Sequence, residues 1–430
     1  MEKDALLSLA EVNQTIDVPK SGWRRLLAFA GPGFLISVGY MDPGNWGTDL
    51  AGGSQFGYAL LWVIFVSNLI AQFLQVLCAR LGLVTGKDLA MCCRDYYSRP
   101  AAIMMWILCE IAIIACDLAE VVGSAVALNL LFKIPLELGV IITGLDVLLL
   151  LGFMKFGFRK IEAIIITLIA TIFFCFVFEI SLAKPDWPAA LHGTFIPSLP
   201  TGSLIIALGI LGATVMPHNL YLHSSIVQTR KKGTEPGDLE QSIKFNTIDT
   251  IVALSLAFFV NAAILLLAAS VFGKTGNIVS ELSDGHKLLS STLGGASATV
   301  FAVALLASGQ SSTVTGTLAG QIVMEGFMRW KIAPWLRRLV TRSLAIIPAI
   351  FIIHLSGGKN TLNLLILSQV VLSMQLPFAI YPLIAVTSNP ERMGAFVNSK
   401  WVRATGYAMC FVIAGLNVFL LVQQIQEWRK

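Results

Sequence analysis

The sequence predicts an all-α polytopic membrane protein made of two inverted five-helix repeats and one further helix. Three observations predict it. Apolar residues make up 56% of the 430 and charged ones only 13%, against about 25% charged in a soluble domain. Eleven segments are apolar over the roughly 20 residues that a span requires. Two of them are interrupted by polar, helix-breaking residues: Asp42-Pro43-Gly44-Asn45 in the first and Met216-Pro217-His218 in the sixth. A backbone group freed from a helix in hydrocarbon costs several kcal/mol unless something satisfies it, so such breaks persist only where they line a cavity or hold a ligand.

The spans fall at 26–53, 57–79, 101–131, 135–154, 161–183, 203–228, 248–272, 297–322, 338–355, 361–387 and 403–425. They divide the chain into an N-terminal segment (1–25), a first repeat (26–183), a second repeat (203–387) and an eleventh span (403–425). With the N-terminus in the cytoplasm, 23 of the 30 Lys and Arg residues lie on the cytoplasmic side, as the positive-inside rule requires. An odd number of spans then puts the C-terminus outside. No secretory signal is expected, because the first 25 residues are polar and the first apolar run is of full length. Five spans cross an odd number of times, so the second group of five starts from the opposite face, and each group opens with its broken helix. This is the LeuT-like arrangement, in which paired breaks point to the binding site. The alternative, an arbitrary bundle with an ordinary proline kink, does not account for two breaks that both carry metal-type ligands.

The net charge of +5 reflects topology, and no nucleic-acid partner is expected. The seven cysteines show no framework spacing. Those inside spans behave as small hydrophobes, and the adjacent Cys92 and Cys93 are read as loop residues without a disulfide.

Asp42 is the first candidate ligand, since a charged side chain at the bilayer centre is expensive and functional by default. Asn45 adds an amide oxygen. Pro43 removes a donor and Gly44 lets the chain leave helical geometry. The first break frees the carbonyl near Gly39 at the negative end of a half-helix, which favours a cation. The second frees that of Ala213. Capping of the second half-helix is the other role open to Asp42, and the two are compatible. Met216 contributes a thioether, a soft ligand poor for Mg²⁺ and Ca²⁺. Mixed oxygen and sulfur ligation favours Mn²⁺ and Fe²⁺ and admits Cd²⁺. His218 is read as a proton-handling or gating residue rather than a ligand, and His223 as a residue near the cytoplasmic vestibule. Gln369 is placed to reach the site if the helix bends at Pro377.

Glu110, Asp117 and Glu120 lie along one side of the third span over about 15 Å of rise, which marks a proton route. Like-charge repulsion between Asp117 and Glu120, one turn apart, lets the pair hold a proton. Arg230, Arg337, Arg338 and Arg342 are candidate counter-charges, and a plain buried salt bridge is the competing role for the acids. The remaining polar residues read as packing. Asn68, Gln72 and Gln75 share one face of the second span, while Ser308, Ser312, Gly316 and Gly320 form a close-packing ladder. Asn261 is ambiguous.

The strings GPGFLISVGYMDPGN, CDLAEVVGSA, GATVMPHNLYLHS and ILSQVVLSMQLPFA resemble the Nramp family of divalent-metal transporters, over about residues 20–425. The resemblance implies proton-coupled import of Mn²⁺ or Fe²⁺ by alternating access across the inner (plasma) membrane, in a bacterial-type chain. It implies no cofactor beyond the transported ion and no obligate protein partner; the partners are the metal ion, protons and the lipid bilayer. It assigns the ion site to Asp42, Asn45, Met216 and the carbonyls of Gly39 and Ala213, with Gln369 joining on occlusion. Proton handling is assigned to Asp42, Asp117, Glu120 and His218, with Arg230 assisting. Gly39 departs from the family's usual Ala, and Cys116 stands where many relatives have a hydroxyl residue. Met216 is retained, unlike in the Mg²⁺-carrying offshoot.

Three other function classes fit less well. A receptor that binds metal without moving it is expected to carry a large signalling tail. A carrier of organic substrates would hold neither a Met nor a buried Asp lacking an amine partner. An enzyme is not expected, as no HExxH, nucleophile elbow or phosphate loop is present.

Overall fold

The computed structural model describes residues 13–18, 28–144, 158–230, 237–273, 279 and 281–428. Its helices, in chain order, are α1 (Pro32–Gly39), α2 (Pro43–Phe56), α3 (Leu61–Thr85), α4 (Leu89–Tyr96), α5 (Arg99–Phe132), α6 (Leu136–Gly144), α7 (Phe158–Ala183) and α8 (Trp187–Phe195). The second half holds α9 (Leu204–Val215), α10 (Pro217–Ile226), α11 (Asp238–Val271), α12 (Leu282–Leu293), α13 (Gly295–Met328), α14 (Pro334–Ser356), α15 (Thr361–Thr387), α16 (Pro390–Met393) and α17 (Lys400–Trp428). Among the described residues, nine helical stretches are long and apolar enough to cross a membrane, with Leu204–Thr229 taken as one. The first span is not among the nine because its break divides it into two short helices. Of the expected 135–154 span only α6 is described; the rest lies outside the described residues, as does most of the N-terminal segment 1–25.

Several helices outrun the sequence-based bounds. α11 and α13 each have 34 residues, about 51 Å at 1.5 Å per residue, against about 30 Å of hydrocarbon. The extension of α11 is polar at its start, whereas that of α13 carries the buried Val323, Met324 and Phe327. The segment holding Cys92 and Cys93 is not a loop. It is the amphipathic α4, which Asp88 caps by accepting the Met91 N–H at 2.8 Å and which buries Leu89 to Cys93. All seven cysteines are free thiols.

The breaks are held at the centre of the bundle by aromatic and glycine contacts. Trp46 of α2 is fully buried, with Phe176 of α7 and Phe301 of α13 at ring distances of 5.0 and 5.1 Å. Gly123 brings α5 against the ring of Pro43, so closely that a Cβ there would enter the proline. Helix propensity favours Ala over Gly by about 1 kcal/mol, while overpacking costs about 1–3 kcal/mol. Gly123→Ala is therefore expected to lower the thermal unfolding temperature of the purified protein. Gly415→Ala, whose Cβ would meet open space, is expected to raise it slightly. Equal shifts would show that α5 does not rest on the break.

Candidate ion site and proton route

Both breaks follow from proline. Gly39 lies four residues before Pro43 and Ala213 four before Pro217, so neither carbonyl has a helical N–H to receive. Asp42 caps α2, its carboxylate accepting the Asn45 N–H at 2.9 Å. Gly39 O retains only a long contact, 3.4 Å, from the Asp42 N–H. Met216 links α9 to α10 at φ 40° and ψ 97°, outside the regions that a non-glycine residue adopts freely. Its N–H still donates to Gly212 O at 3.2 Å, and its own carbonyl accepts the Asn219 N–H at 3.0 Å.

The other opened carbonyls are satisfied by neighbouring helices. Asn261 Nδ2 donates to Tyr40 O at 2.8 Å, and Ser308 Oγ to Met41 O at 2.5 Å. Tyr40 Oη donates to Val215 O at 3.3 Å and accepts from Gln75 Nε2 at 2.9 Å, and Gln75 Oε1 meets His223 Nδ1 at 2.9 Å. Tyr40 thus ties the first break to the second. Gln75, Asn261 and Ser308, read from sequence as packing or ambiguous, hold the opened backbone, and His223 belongs to the same network.

Asp42, Asn45 and Met216 are all buried. Gly39 lies against Met216 Sδ and the Asn219 amide, and Gly44 against the Gln369 side chain. Side chains at these two glycines would close the space between the half-helices. Met216 Sδ accepts a 3.5 Å contact from Asn219 Nδ2. Several amide oxygens at the breaks are buried with no hydrogen-bond partner, among them Asn45 Oδ1 and Gln369 Oε1, with Asn219 Oδ1 and Asn261 Oδ1 beside them. Each such oxygen costs about 1–3 kcal/mol if nothing meets it. Carboxylate, two amide oxygens, a thioether and two freed carbonyls make an acceptor-rich space suited to a cation.

From this space an acid chain runs along α5. Cys116 Sγ lies 3.7 Å from Asp42 Oδ2 and 3.8 Å from Glu120 Oε1. Glu120 Oε2 accepts from Arg342 at 2.8 Å, Arg338 at 3.1 Å and Thr313 Oγ1 at 3.2 Å. Arg338 also donates to Asp117 Oδ1, and Glu110 pairs with Arg337 at 2.9 Å. Asp117, Glu120, Arg338 and Arg342 are fully buried. The counter-charges therefore come from α14. Gly316 and Gly320, taken from sequence as helix-packing positions, make room for this network: Gly316 faces Glu120, Asp117 and Arg338, and Gly320 faces the Arg337 guanidinium.

Two predicted residues make no hydrogen bond or ion pair with this acid chain among the described residues, though His218 lies within electrostatic reach of Asp117. His218, at the start of α10, is buried and its Nδ1 has no partner. Arg230 pairs instead with Glu162 of α7 at 2.7 Å and donates to Ala28 O and Ala30 O at 3.1 and 3.2 Å. Arg159 joins Glu162 and Ala30 O, both at 2.9 Å, and Asp249 accepts the Gly33 N–H at 2.6 Å. The segment holding Gln14 and Ile16 is tied in as well, their N–H groups donating to Gln228 O and Thr229 O at 3.0 Å. Arg230 thus pins the start of α1 in place.

The sequence profile of the Nramp family, "Natural resistance-associated macrophage protein-like", matches residues 33–423. The chain belongs to this family. It is 56% identical over 429 residues to the divalent metal cation transporter MntH of Nostoc sp., covering 98% of this chain and 97% of that protein. The transporter of the same name from Agrobacterium fabrum is 54% identical, with 97% and 92% covered. Among solved structures, the Eremococcus coleocola manganese transporter in complex with an aromatic bis-isothiourea substituted compound aligns with a TM-score of 0.86. It shares 41% identity and covers 97% of this chain and 91% of that one. A nucleobase-cation-symport-1 family transporter in a closed conformation aligns at a TM-score of 0.61 and 16% identity, over 93% and 92% of the two chains, and shares the fold alone. The fold is the LeuT-like one: two five-helix units, each opening on a broken helix, with α17 outside them.

In this Nramp chain, removing one side of a buried ion pair costs about 3–5 kcal/mol, because the other charge is left uncompensated. Arg338→Gln is expected to reduce the yield of folded protein and its unfolding temperature. Adding Asp117→Asn is expected to recover most of both, as read by size-exclusion yield and a thermal-shift assay. A double variant no better than the single would show that the guanidinium does not answer to that acid.

Proposed function

We propose that the protein is a carrier, not an enzyme, importing divalent transition-metal ions (Mn²⁺, Fe²⁺ and also Cd²⁺) together with protons that move over its own acids. The observation that carries this reading is the pair of buried, unpartnered amide oxygens, Asn45 Oδ1 and Gln369 Oε1, beside Asp42 and Met216 where two broken helices meet. The names of the relatives, divalent metal cation and manganese transporters, support it.

Asp42 has no cationic side chain paired with it among the described residues. A carboxylate without a cation at mid-bilayer holds either a proton or a metal. That alternative is the coupling. An arriving dication exchanges its water for Asp42, Asn45, Met216 and the carbonyls of Gly39 and Ala213, and Gln369 closes over it. The proton from Asp42 passes by the Cys116 thiol toward Glu120 and Asp117, whose charges Arg338 and Arg342 balance. His218 handles protons beside the site. Opening toward the cytoplasm requires α1 to leave Arg230, Glu162 and Asp249. With the N-terminus in the cytoplasm and the C-terminus outside, an inward-negative potential assists entry by about 2.3 kcal/mol per charge per 100 mV.

Uptake of Mn²⁺ into proteoliposomes with a lumenal pH dye tests the reading. Asp42→Ala is expected to abolish uptake; uptake at the parental rate removes the site. Met216→Ala is expected to let Mg²⁺ or Ca²⁺ compete, and unchanged discrimination would mean that the sulfur is idle. Along the proton route, Glu120→Gln and Cys116→Val are both expected to depress metal-driven acidification more than metal binding, whereas Cys116→Ser is expected to preserve it. Equal losses of flux and binding would show that α5 supplies no relay.

A further inference from the structure

We infer that the cleft between α15 and α17, at the arginine-rich end of the bundle, binds one anionic glycerophospholipid. A cavity of about 710 Å³ opens there, walled by Tyr96 at the end of α4 and Tyr97 just after it, Tyr381 of α15, Tyr407 and Arg403 of α17, and Glu391 of α16. The tyrosines form two packed pairs, Tyr96 with Tyr97 at 4.9 Å and Tyr381 with Tyr407 at 5.4 Å between ring centres. The Arg392 guanidinium lies 5.2 Å above the Tyr96 ring. Tyr97 Oη is buried and has no hydrogen-bond partner. In the wall Arg403 offsets Glu391, and the Arg392 guanidinium behind Tyr96 adds a further positive charge; phenol hydroxyls are donors that a phosphate oxygen accepts.

Depth and polarity name the ligand class. Tyr381 lies six residues before the end of α15 and Tyr407 seven after the start of α17, about 9–10 Å inside the helix ends. Trp401, 84% exposed on the first turn of α17, marks the interfacial belt in which aromatic residues collect. One turn deeper on the same two helices, Phe378 and Phe411 are 41% and 67% exposed. The cleft is thus basic and hydroxyl-lined at headgroup level and apolar at chain level. A free anion uses the upper part and leaves the lower part without a role, whereas a lipid uses both. Basic pockets between helices on the cytoplasmic side bind anionic headgroups. None of these residues belongs to the ion site, so the inference stands or falls separately from the transport reading.

Native mass spectrometry of the full chain tests it, with phosphatidylglycerol, phosphatidylcholine of the same acyl chains, or inorganic phosphate added. The expected result is retention of one phosphatidylglycerol over phosphatidylcholine by a factor of about five or more, the contribution of one arginine beside an anionic headgroup. Arg403→Gln is expected to remove that preference while leaving the unfolding temperature in phosphatidylcholine unchanged. Tyr97→Phe, a change of one buried oxygen, is the milder variant should the first fold poorly, and is expected to weaken the same preference. Equal retention of both lipids, unchanged selectivity in the variants, or displacement of the bound lipid by inorganic phosphate would each overturn the assignment.

Discussion

A backbone in hydrocarbon has no water to turn to, and the centre of this protein is arranged around the carbonyls that two prolines set free. Pro43 and Pro217 each remove the N–H that would close the turn four residues earlier. The structure then divides the opened groups into two kinds. Tyr40 O and Met41 O receive side-chain donors from α11 and α13, and Val215 O receives Tyr40 Oη. Gly39 O keeps one long contact and Ala213 O loses its helical donor. Donors are supplied where the chain must be held, and the two carbonyls left without a full helical donor are the ones the proposed ion site would use. The placement of α11 and α13, and through Tyr40 of α3 and α10, answers to that division.

Charge obeys the same constraint. Asp117 and Glu120 are balanced by Arg338 and Arg342, and Glu162 with Asp249 by Arg230 and Arg159. These groups are neutral as sets when every member is ionised, and each donor satisfies lone pairs that would otherwise be stranded. Among the described residues Asp42 has no arginine beside it, and neither has the buried Asp49 further along α2. In the mechanism proposed above, the balanced pairs are the ground on which a proton moves, and Asp42 is the acid whose protonation competes with the ion. The glycines of α13 belong to this balance, because an arginine fork reaches an acid across a helix only where that helix carries no side chain in the way.

Much of this was legible in the residues. The two breaks, the acid and the thioether within them and the acid stripe on α5 follow from residue type and spacing. So do the freed carbonyls, since a glycine or alanine four residues before a proline can be read without coordinates. What could not be read was which distant residue meets which carbonyl. Gln75, Asn261 and Ser308 look like ordinary polar residues of spans, and Gly316 and Gly320 like a packing ladder, because their partners lie on other helices. Arg230 follows span 6 in sequence, which associated it with the proton route; the fold carries it to Glu162 and the start of α1. Cys92 and Cys93 read as a loop because a helix of eight residues is too short to show a firm period.

The conformation of Met216 bears on why a methionine stands there at all. Its φ of 40° is strain of about 1–3 kcal/mol for a residue with a Cβ. Glycine would adopt the same backbone freely, and the break would form as readily around it. Packing does not supply the difference, since the side chain touches a small cluster of Ala112, Ala115, Cys116 and Leu372 that any apolar residue would complete. What a glycine or leucine would not supply is a polarisable sulfur beside Asp42 and Asn45. On the proposed transport reading, a strained position filled by an apolar side chain able to bind a soft cation makes the thioether, rather than the shape of the break, the group expected to set which ion is held.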